Sequence, residues 1–167
     1  MGGGSGSRMR ESDLRRLEEE AKKKLERAKG SGASHAFISF DHDDVDDVNL
    51  LRGQAKNDNV EFEFDDYSVK EPIDSKNADY IKRQIAKRIE QCSITLVYLT
   101  PRSAASAWVN WEIEETLRQG KHVIGVYQGD APPSQLPPAF ARTGQKPVRW
   151  EHEALRRAIE AAKREKE

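Results

Sequence analysis

The sequence has a single cysteine and no excess of charge of either sign. Cys92 stands alone, so an intrachain disulfide and a thiolate-rich metal site are both excluded. Cysteine this scarce makes the cytoplasm the expected compartment. Lysine and arginine total 28 and aspartate and glutamate total 29, which gives a formal net charge of −1. A chain so balanced has no strong field to attract nucleic acid, and we expect no nucleic-acid partner.

Long apolar runs and phosphate-binding loops are also missing. The apolar runs are far shorter than the roughly 20 residues that a membrane-spanning helix needs. The N-terminus is rich in glycine and serine and then charged, unlike a secretory signal peptide. Neither GxGxxG nor a glycine-rich loop ending in Lys-Ser or Lys-Thr occurs. We expect no membrane association, no bound metal and no resident cofactor.

The first 33 residues have the composition of an appended segment. Glycine- and serine-rich stretches flank a charged run over residues 10–29. Ser12 is a favourable N-cap, and Leu14 and Leu17 begin an apolar stripe. This composition favours an engineered helix between two flexible joints, and a natural docking helix is the alternative. We therefore predict two parts, residues 1–33 and residues 34–167.

From residue 34 onward, short apolar segments alternate with amphipathic ones. The pattern predicts strands over residues 36–40, 60–64, 93–99, 121–127 and 146–150, and helices over residues 45–56, 78–91, 107–118 and 151–167. Such alternation is typical of a flavodoxin-like α/β sandwich of three layers, with a mostly parallel five-stranded sheet and helices on both faces. Binding sites in these sheets form at the carboxyl ends of strands. We expect the site at the loops after Phe40 and Leu99, with the loop after Phe64 as a further candidate.

An acidic run follows the first predicted strand. Asp41, His42, Asp43 and Asp44 lie where a doubly wound sheet places its site. Carboxylates there can hold Mg²⁺, but Asp43 or Asp44 can equally cap the next helix, and we favour capping. A phosphate-accepting receiver domain needs an aspartate at the end of the third strand. Residues 98–101 contain none, which disfavours that alternative.

The helix predicted over residues 107–118 carries the strongest candidate for chemistry. Its predicted inward stripe consists of Val109, Ile113 and Leu117, and its predicted outward face includes Glu114 and Glu115.

Trp108 and Glu112 are i, i+4 neighbours that border this stripe. A carboxylate beside an aromatic ring can stabilise the oxocarbenium-like centre that forms when nicotinamide leaves NAD. The alternative is a glutamate on the helix surface beside tryptophans that only pack, and we favour it on the residue pattern alone.

Three segments together carry a resemblance to a known family. FISFDHDD, then SVKEPIDSKNADYIKRQIAKRIEQCSITLVYLTP, then SAWVNWEIEETLRQGKHVIGVY resemble TIR domains. More narrowly they resemble the TIR-like branch that includes the cyclising subunit of the Thoeris anti-phage system. The resemblance covers about residues 34–127 and implies cleavage of NAD to nicotinamide and free or cyclised ADP-ribose, with a role in antiviral signalling.

The resemblance also implies roles for particular residues. The family's catalytic glutamate falls on Glu112 and its helix tryptophan on Trp108. Its substrate-lining segment falls on a run of four residues, Phe40, Asp41, His42 and Asp43. NAD is then a substrate, and self-association through residues 67–77 is implied. The alternatives are a TIR-like interaction module without catalysis and a scaffold within an engineered fusion.

Overall fold

The computed structural model describes residue 12 and residues 14–20, 34–57, 62–65 and 72–165. The chain comprises two compact units, Met1–Ser34 and His35–Glu167. In the first unit, residue 12 and residues 14–20 are helical; the remainder of the helix predicted over residues 10–29 lies outside the described residues. The engineered origin of this segment stays a prediction. Across the described ranges, no helix is both long enough and apolar enough to cross a membrane.

The second unit alternates strands with helices, as the sequence predicts. The strands are β1 (Ser34–Ser39), β2 (Phe62–Asp65), β3 (Ile94–Tyr98), β4 (His122–Tyr127) and β5 (Val148–Arg149). The helices are α1 (Val45–Asn57), α2 (Ala78–Gln91), α3 (Pro101–Ala105), α4 (Ala107–Arg118), α5 (Pro138–Ala141) and α6 (His152–Glu165). A single 3-10 turn, His42–Asp44, leads from β1 into α1.

The strands form one five-stranded sheet in the order β2-β1-β3-β4-β5. The pairs β1–β3, β3–β4 and β4–β5 are all parallel, which confirms the predicted flavodoxin-like class. The acidic strand β2 lies at one edge of the sheet. From β1 the chain passes to β2 on one side and then to β3 on the other. The order therefore reverses between β1 and β3, which is where sheets of this kind open a crevice.

The side chains of β1 alternate between two cores, one on each face of the sheet. Ile38 and Phe40 pack with residues of α1 and α6, whereas Phe37 packs with the buried isoleucines of α2. Because successive strand residues point to opposite faces, Ser39 shares the face of Phe37. Burying each large apolar side chain contributes roughly 1.5–3 kcal/mol, so this alternation fixes which side of β1 each residue faces.

The buried face of helix α4 differs from the one that the sequence predicts. Val109 and Ile113 are fully buried as predicted, but Leu117 is 43% exposed and its predicted burial is wrong. Glu115, predicted to face solvent, is buried and is paired with the Arg118 guanidinium. Helix α2 packs against α4, and Gln119 Nε2 donates both to the Ala86 carbonyl of α2 and to Glu115 Oε1, so Glu115 lies towards α2.

Two short helices, α3 and α5, were not expected from the sequence. Each begins with a proline, Pro101 or Pro138, which is favourable at the first helical position. The backbone N–H of Ala139 donates to Asn110 Oδ1 at 3.0 Å, so a side chain of α4 holds the start of α5.

Candidate active site

A buried carboxylate lies at the carboxyl end of β1. The Ser39 hydroxyl donates to Glu112 Oε1 at 2.7 Å. Ser39 is fully buried and Glu112 is 3% exposed, so the alternative that Glu112 is an exposed surface residue is wrong. Ser39 is the last residue of β1 and pairs with Val97 of β3. The carboxylate is therefore held beside the strand pair at which the strand order reverses.

The backbone around Glu112 is fixed by contacts at both ends of α4. At the N-terminus, Ser106 Oγ accepts from the backbone N–H of Val109 at 3.2 Å. Further along, the Thr116 hydroxyl donates to the Glu112 carbonyl at 2.8 Å and lies 2.8 Å from the Thr95 hydroxyl of β3. Because Thr116 has one hydroxyl hydrogen and it goes to that carbonyl, Thr95 is the donor to Thr116. A hydroxyl chain thus ties the Glu112 backbone to the central strand.

Trp108 forms an aromatic wall on the same face of the sheet. Its ring meets that of Trp111 edge to face, with 6.0 Å between centroids and an interplanar angle of 80°. Both rings pack against the cluster that contains Phe37, as expected for a tryptophan that borders the core. Phe37 and Ser39 share one face of β1. Trp108 packs with the Phe37 cluster and Glu112 bonds Ser39, so both residues of α4 lie on that face of the sheet.

The acidic run after β1 contains groups with different structural roles. Asp41 Oδ1 accepts from the backbone N–H of Asp43 at 3.0 Å and so caps the 3-10 turn. Capping of the next helix was predicted for Asp43 or Asp44; the cap that the structure shows in this turn is Asp41, and the two Asp44 carboxylate oxygens accept instead from Thr100 and Arg102. Within the described ranges, no group of three His, Cys, Asp or Glu side chains converges as metal ligands would.

Asp44 connects the loop after β1 to the loop after β3. It is 1% exposed and accepts from Thr100 Oγ1 at 2.6 Å and from Arg102 Nη1 at 2.8 Å. A buried carboxylate is costly unless it is paired and hydrogen-bonded, and these two donors satisfy it. This pair could not be predicted from the sequence, because nothing in an acidic run indicates a partner 58 residues away.

Tyr98 holds a further polar contact at the end of β3. Its hydroxyl lies 3.3 Å from Asp47 Oδ2 and 3.2 Å from Gln128 Oε1. Burial, and then the negative charge of Asp47, raise the pKa of Tyr98 to about 12. The phenol therefore stays neutral and acts as a hydrogen-bond donor at physiological pH.

The predicted substrate-lining residues fall into two groups. Asp41 and His42 are half-exposed and Asp43 is exposed, all at the turn that leaves the carboxyl end of β1. The Phe40 side chain is 8% exposed and belongs to the core on the opposite face from Glu112. Substrate contact by these four residues and by Trp108 stays a prediction.

The strand order and the carboxylate at its reversal point define an α/β domain of the flavodoxin-like class. The family described as Thoeris protein ThsB, TIR-like domain, matches residues 37–132, which is more than half of the chain. The chain belongs to this family of TIR-like domains.

Thirteen chains of solved structures also match. One comes from the activated Roq1 resistosome directly recognizing the pathogen effector XopQ, in its TIR domains. It is 20% identical to this chain, with a TM-score of 0.40, and the match covers 57% of each chain. This chain therefore spans less than two thirds of the length of that one. No curated protein matches.

Proposed function

We propose that this domain cleaves the bond between nicotinamide and ribose in NAD, with Glu112 as the catalytic carboxylate. The observation that carries the proposal is the burial of this carboxylate at the carboxyl end of β1, where Ser39 orients it. Membership of the Thoeris TIR-like family supports the same chemistry and a role in antiviral signalling.

The chemistry needs one carboxylate and no partner acid. When the glycosidic bond breaks, its electron pair leaves with the nicotinamide nitrogen, and positive charge develops on the ribose. A carboxylate beside the ribose stabilises that charge, and more strongly where water is excluded. The anomeric carbon then bonds to water, which releases a proton and gives ADP-ribose. Alternatively it bonds to a nucleophilic atom of the ADP-ribose itself, which gives a cyclised product and releases a proton where that atom carried one.

The remaining parts of the site follow from their positions around this carboxylate. Trp108 would shape the wall of the crevice on the side of α4. Asp41, His42 and Asp43, with the backbone of Phe40, would line the side formed by the turn after β1. Self-association would use the loop over residues 67–77, of which residues 72–77 are described. NAD is the substrate in this scheme, and no separate cofactor takes part.

One observation favours a second candidate function. With 3% of its surface exposed and a hydrogen bond to Ser39, Glu112 has the environment of a residue that stabilises the fold. The domain would then be a TIR-like interaction module without catalysis, either in its natural setting or as a scaffold in an engineered fusion.

Release of nicotinamide separates the two functions. The full chain, its Glu112→Gln variant and its Glu114→Gln variant are incubated with NAD, and nicotinamide is quantified by chromatography. Glu114 lies on the same helix with its side chain 55% exposed, which makes it a matched control. We expect turnover by the wild type, a loss of at least about 100-fold in Glu112→Gln, and little change in Glu114→Gln. If folded wild-type protein releases no nicotinamide even at high protein concentration, the interaction module is the correct function.

A further inference from the structure

Ser39 is a polar residue in an otherwise apolar stretch of β1. Its neighbours Ala36, Phe37, Ile38 and Phe40 all belong to the core, and Ser39 itself is 0% exposed. Burying a hydroxyl is unfavourable unless it forms a hydrogen bond. The Glu112 carboxylate supplies that bond at 2.7 Å, so the presence of serine at this position is accounted for by Glu112.

We propose that Ser39 is a positioning residue for the reaction at Glu112. The inference rests on the proposed NAD cleavage and adds a second residue to its machinery. Ser39 does not touch the reacting atoms in this scheme; it acts on the carboxylate that does.

The hydrogen bond has two effects on the carboxylate. The hydroxyl is the donor, because an ionised carboxylate can only accept. A donor to the charged form favours that form, so the bond from Ser39 opposes the effect of burial on the Glu112 carboxylate. The same bond fixes the direction of Oε1, while the Thr116 hydroxyl fixes the Glu112 carbonyl. Glu112 is thereby held at both its side chain and its backbone. A carboxylate that must contact a ribose in one orientation needs such restraint.

Removal of the hydroxyl gives a kinetic signature that a purely structural role does not give. In Ser39→Ala we expect kcat to fall by about 10- to 100-fold with little change in KM, because orientation is lost rather than substrate binding. The acidic limb of the pH–rate profile should move to higher pH by about one unit, because the carboxylate has lost a donor that favours its ionised form.

Two further variants separate this role from general destabilisation. Ser39→Thr keeps the hydroxyl and should restore the position of the acidic limb. Ser103→Ala removes a different fully buried hydroxyl, one that bonds the backbone of Thr100 and not Glu112. It should lower the melting temperature and leave the acidic limb in place. If Ser39→Ala is too unstable for the assay, Ser39→Cys, a weaker donor, should show a smaller shift in the same direction.

The outcomes distinguish this inference from the proposed function. If the wild type turns over NAD and Ser39→Ala or Ser39→Cys has the same kcat and pH profile, the positioning role of Ser39 is rejected. The proposed NAD cleavage is then unaffected. A folded wild type that releases no nicotinamide rejects the enzyme, and the positioning role with it. In that case, NMR titration of the ¹³C-labelled Glu112 carboxyl still tests whether Ser39 bonds the carboxylate. If it does, the midpoint of the carboxyl titration moves to higher pH in Ser39→Ala.

Discussion

At the scale of single residues, buried polar side chains connect elements that are distant in the sequence. Asp44, Thr95 and Ser39 are each buried, and each bonds a side chain at least 21 residues away. Apolar contacts tolerate small shifts more easily than hydrogen bonds, which require both distance and direction. We therefore attribute the alignment of α4 and the loops with the carboxyl ends of β1 and β3 to these polar pairs.

The titration of Tyr98 gives a prediction about alkaline stability. The pKa of Tyr98 is raised from about 10 to about 12 in the folded chain. Between these values the unfolded chain loses the phenol proton and the folded chain keeps it. The contribution of Tyr98 to stability is therefore full below pH 10 and is lost as the pH rises through 12. Because Phe has no such proton, Tyr98→Phe should lose less stability than the wild type over this interval.

Urea denaturation at a series of alkaline pH values measures this difference. The lysines and the other tyrosines titrate in both proteins, so each comparison at one pH cancels their effect. Parallel stability curves for the two proteins would show that the environment of the Tyr98 hydroxyl is not as described.

Contacts between residues close together in the sequence could be predicted at this site, and contacts between distant residues could not. The i, i+4 spacing of Trp108 and Glu112 predicted that both border the core, and the structure places them there. The hydrogen bond from Ser39 to Glu112 joins residues 73 apart, and helical periodicity carries no information about such a pair. Local pattern therefore placed Glu112 beside the core, the family resemblance singled it out as the candidate, and neither indicated Ser39 as its hydrogen-bond partner.

At the scale of elements, the regular helices and strands were predictable and the single-turn helices were not. Helix α2 was predicted with its observed bounds, Ala78–Gln91, because isoleucines recur every four residues along it. Helix α5 spans only Pro138–Ala141, too few residues for periodicity to appear. It is held by tertiary contacts: Asn110 caps it, and Phe140 is fully buried.

The contact between β4 and α5 gives a prediction about packing. A Cβ added at Gly125 would lie 2.5 Å from Phe140 Cζ and 2.9 Å from Leu99 Cδ1. Gly125→Ala should therefore destabilise the domain by roughly 1–3 kcal/mol, the usual cost of overpacking. Adding Phe140→Leu should recover part of that loss, because the two side chains compete for one space.

Gly53 provides the matched control. It lies in α1 with nothing within 4 Å of an added Cβ, so Gly53→Ala should stabilise the domain by up to about 1 kcal/mol through helix propensity. Thermal and urea denaturation of both variants measure the contrast. Equal effects of the two substitutions would contradict the described packing between β4 and α5.

At the scale of the whole domain, the strand order decides where a site forms. Alternation of strands and helices predicted a parallel sheet, and β1–β3 pairing confirms it. The order β2-β1-β3-β4-β5 follows from non-local pairing, which one sequence does not display. That order places the reversal point between β1 and β3, with Ser39 and Glu112 beside it.

The burial of Glu112 gives a prediction about assembly. A carboxylate that is 3% exposed meets a substrate only if the surrounding surface rearranges. The TIR resemblance implies self-association, and a rearranged surface that associates would be stabilised by mass action. We expect nicotinamide release per molecule to rise with protein concentration, in step with the association measured by light scattering. Constant release per molecule from a monomer throughout the dilution series would contradict this.

The central claim is that the Glu112 carboxylate acts on the ribose of NAD. The most direct test is a crystal structure of the Glu112→Gln variant with NAD bound, since the substitution keeps the shape of the side chain and slows cleavage. We predict that the nicotinamide-bearing ribose lies within hydrogen-bond distance of the side chain at position 112, at the carboxyl ends of β1 and β3. NAD bound on another surface, or with this ribose turned away from α4, would contradict the account.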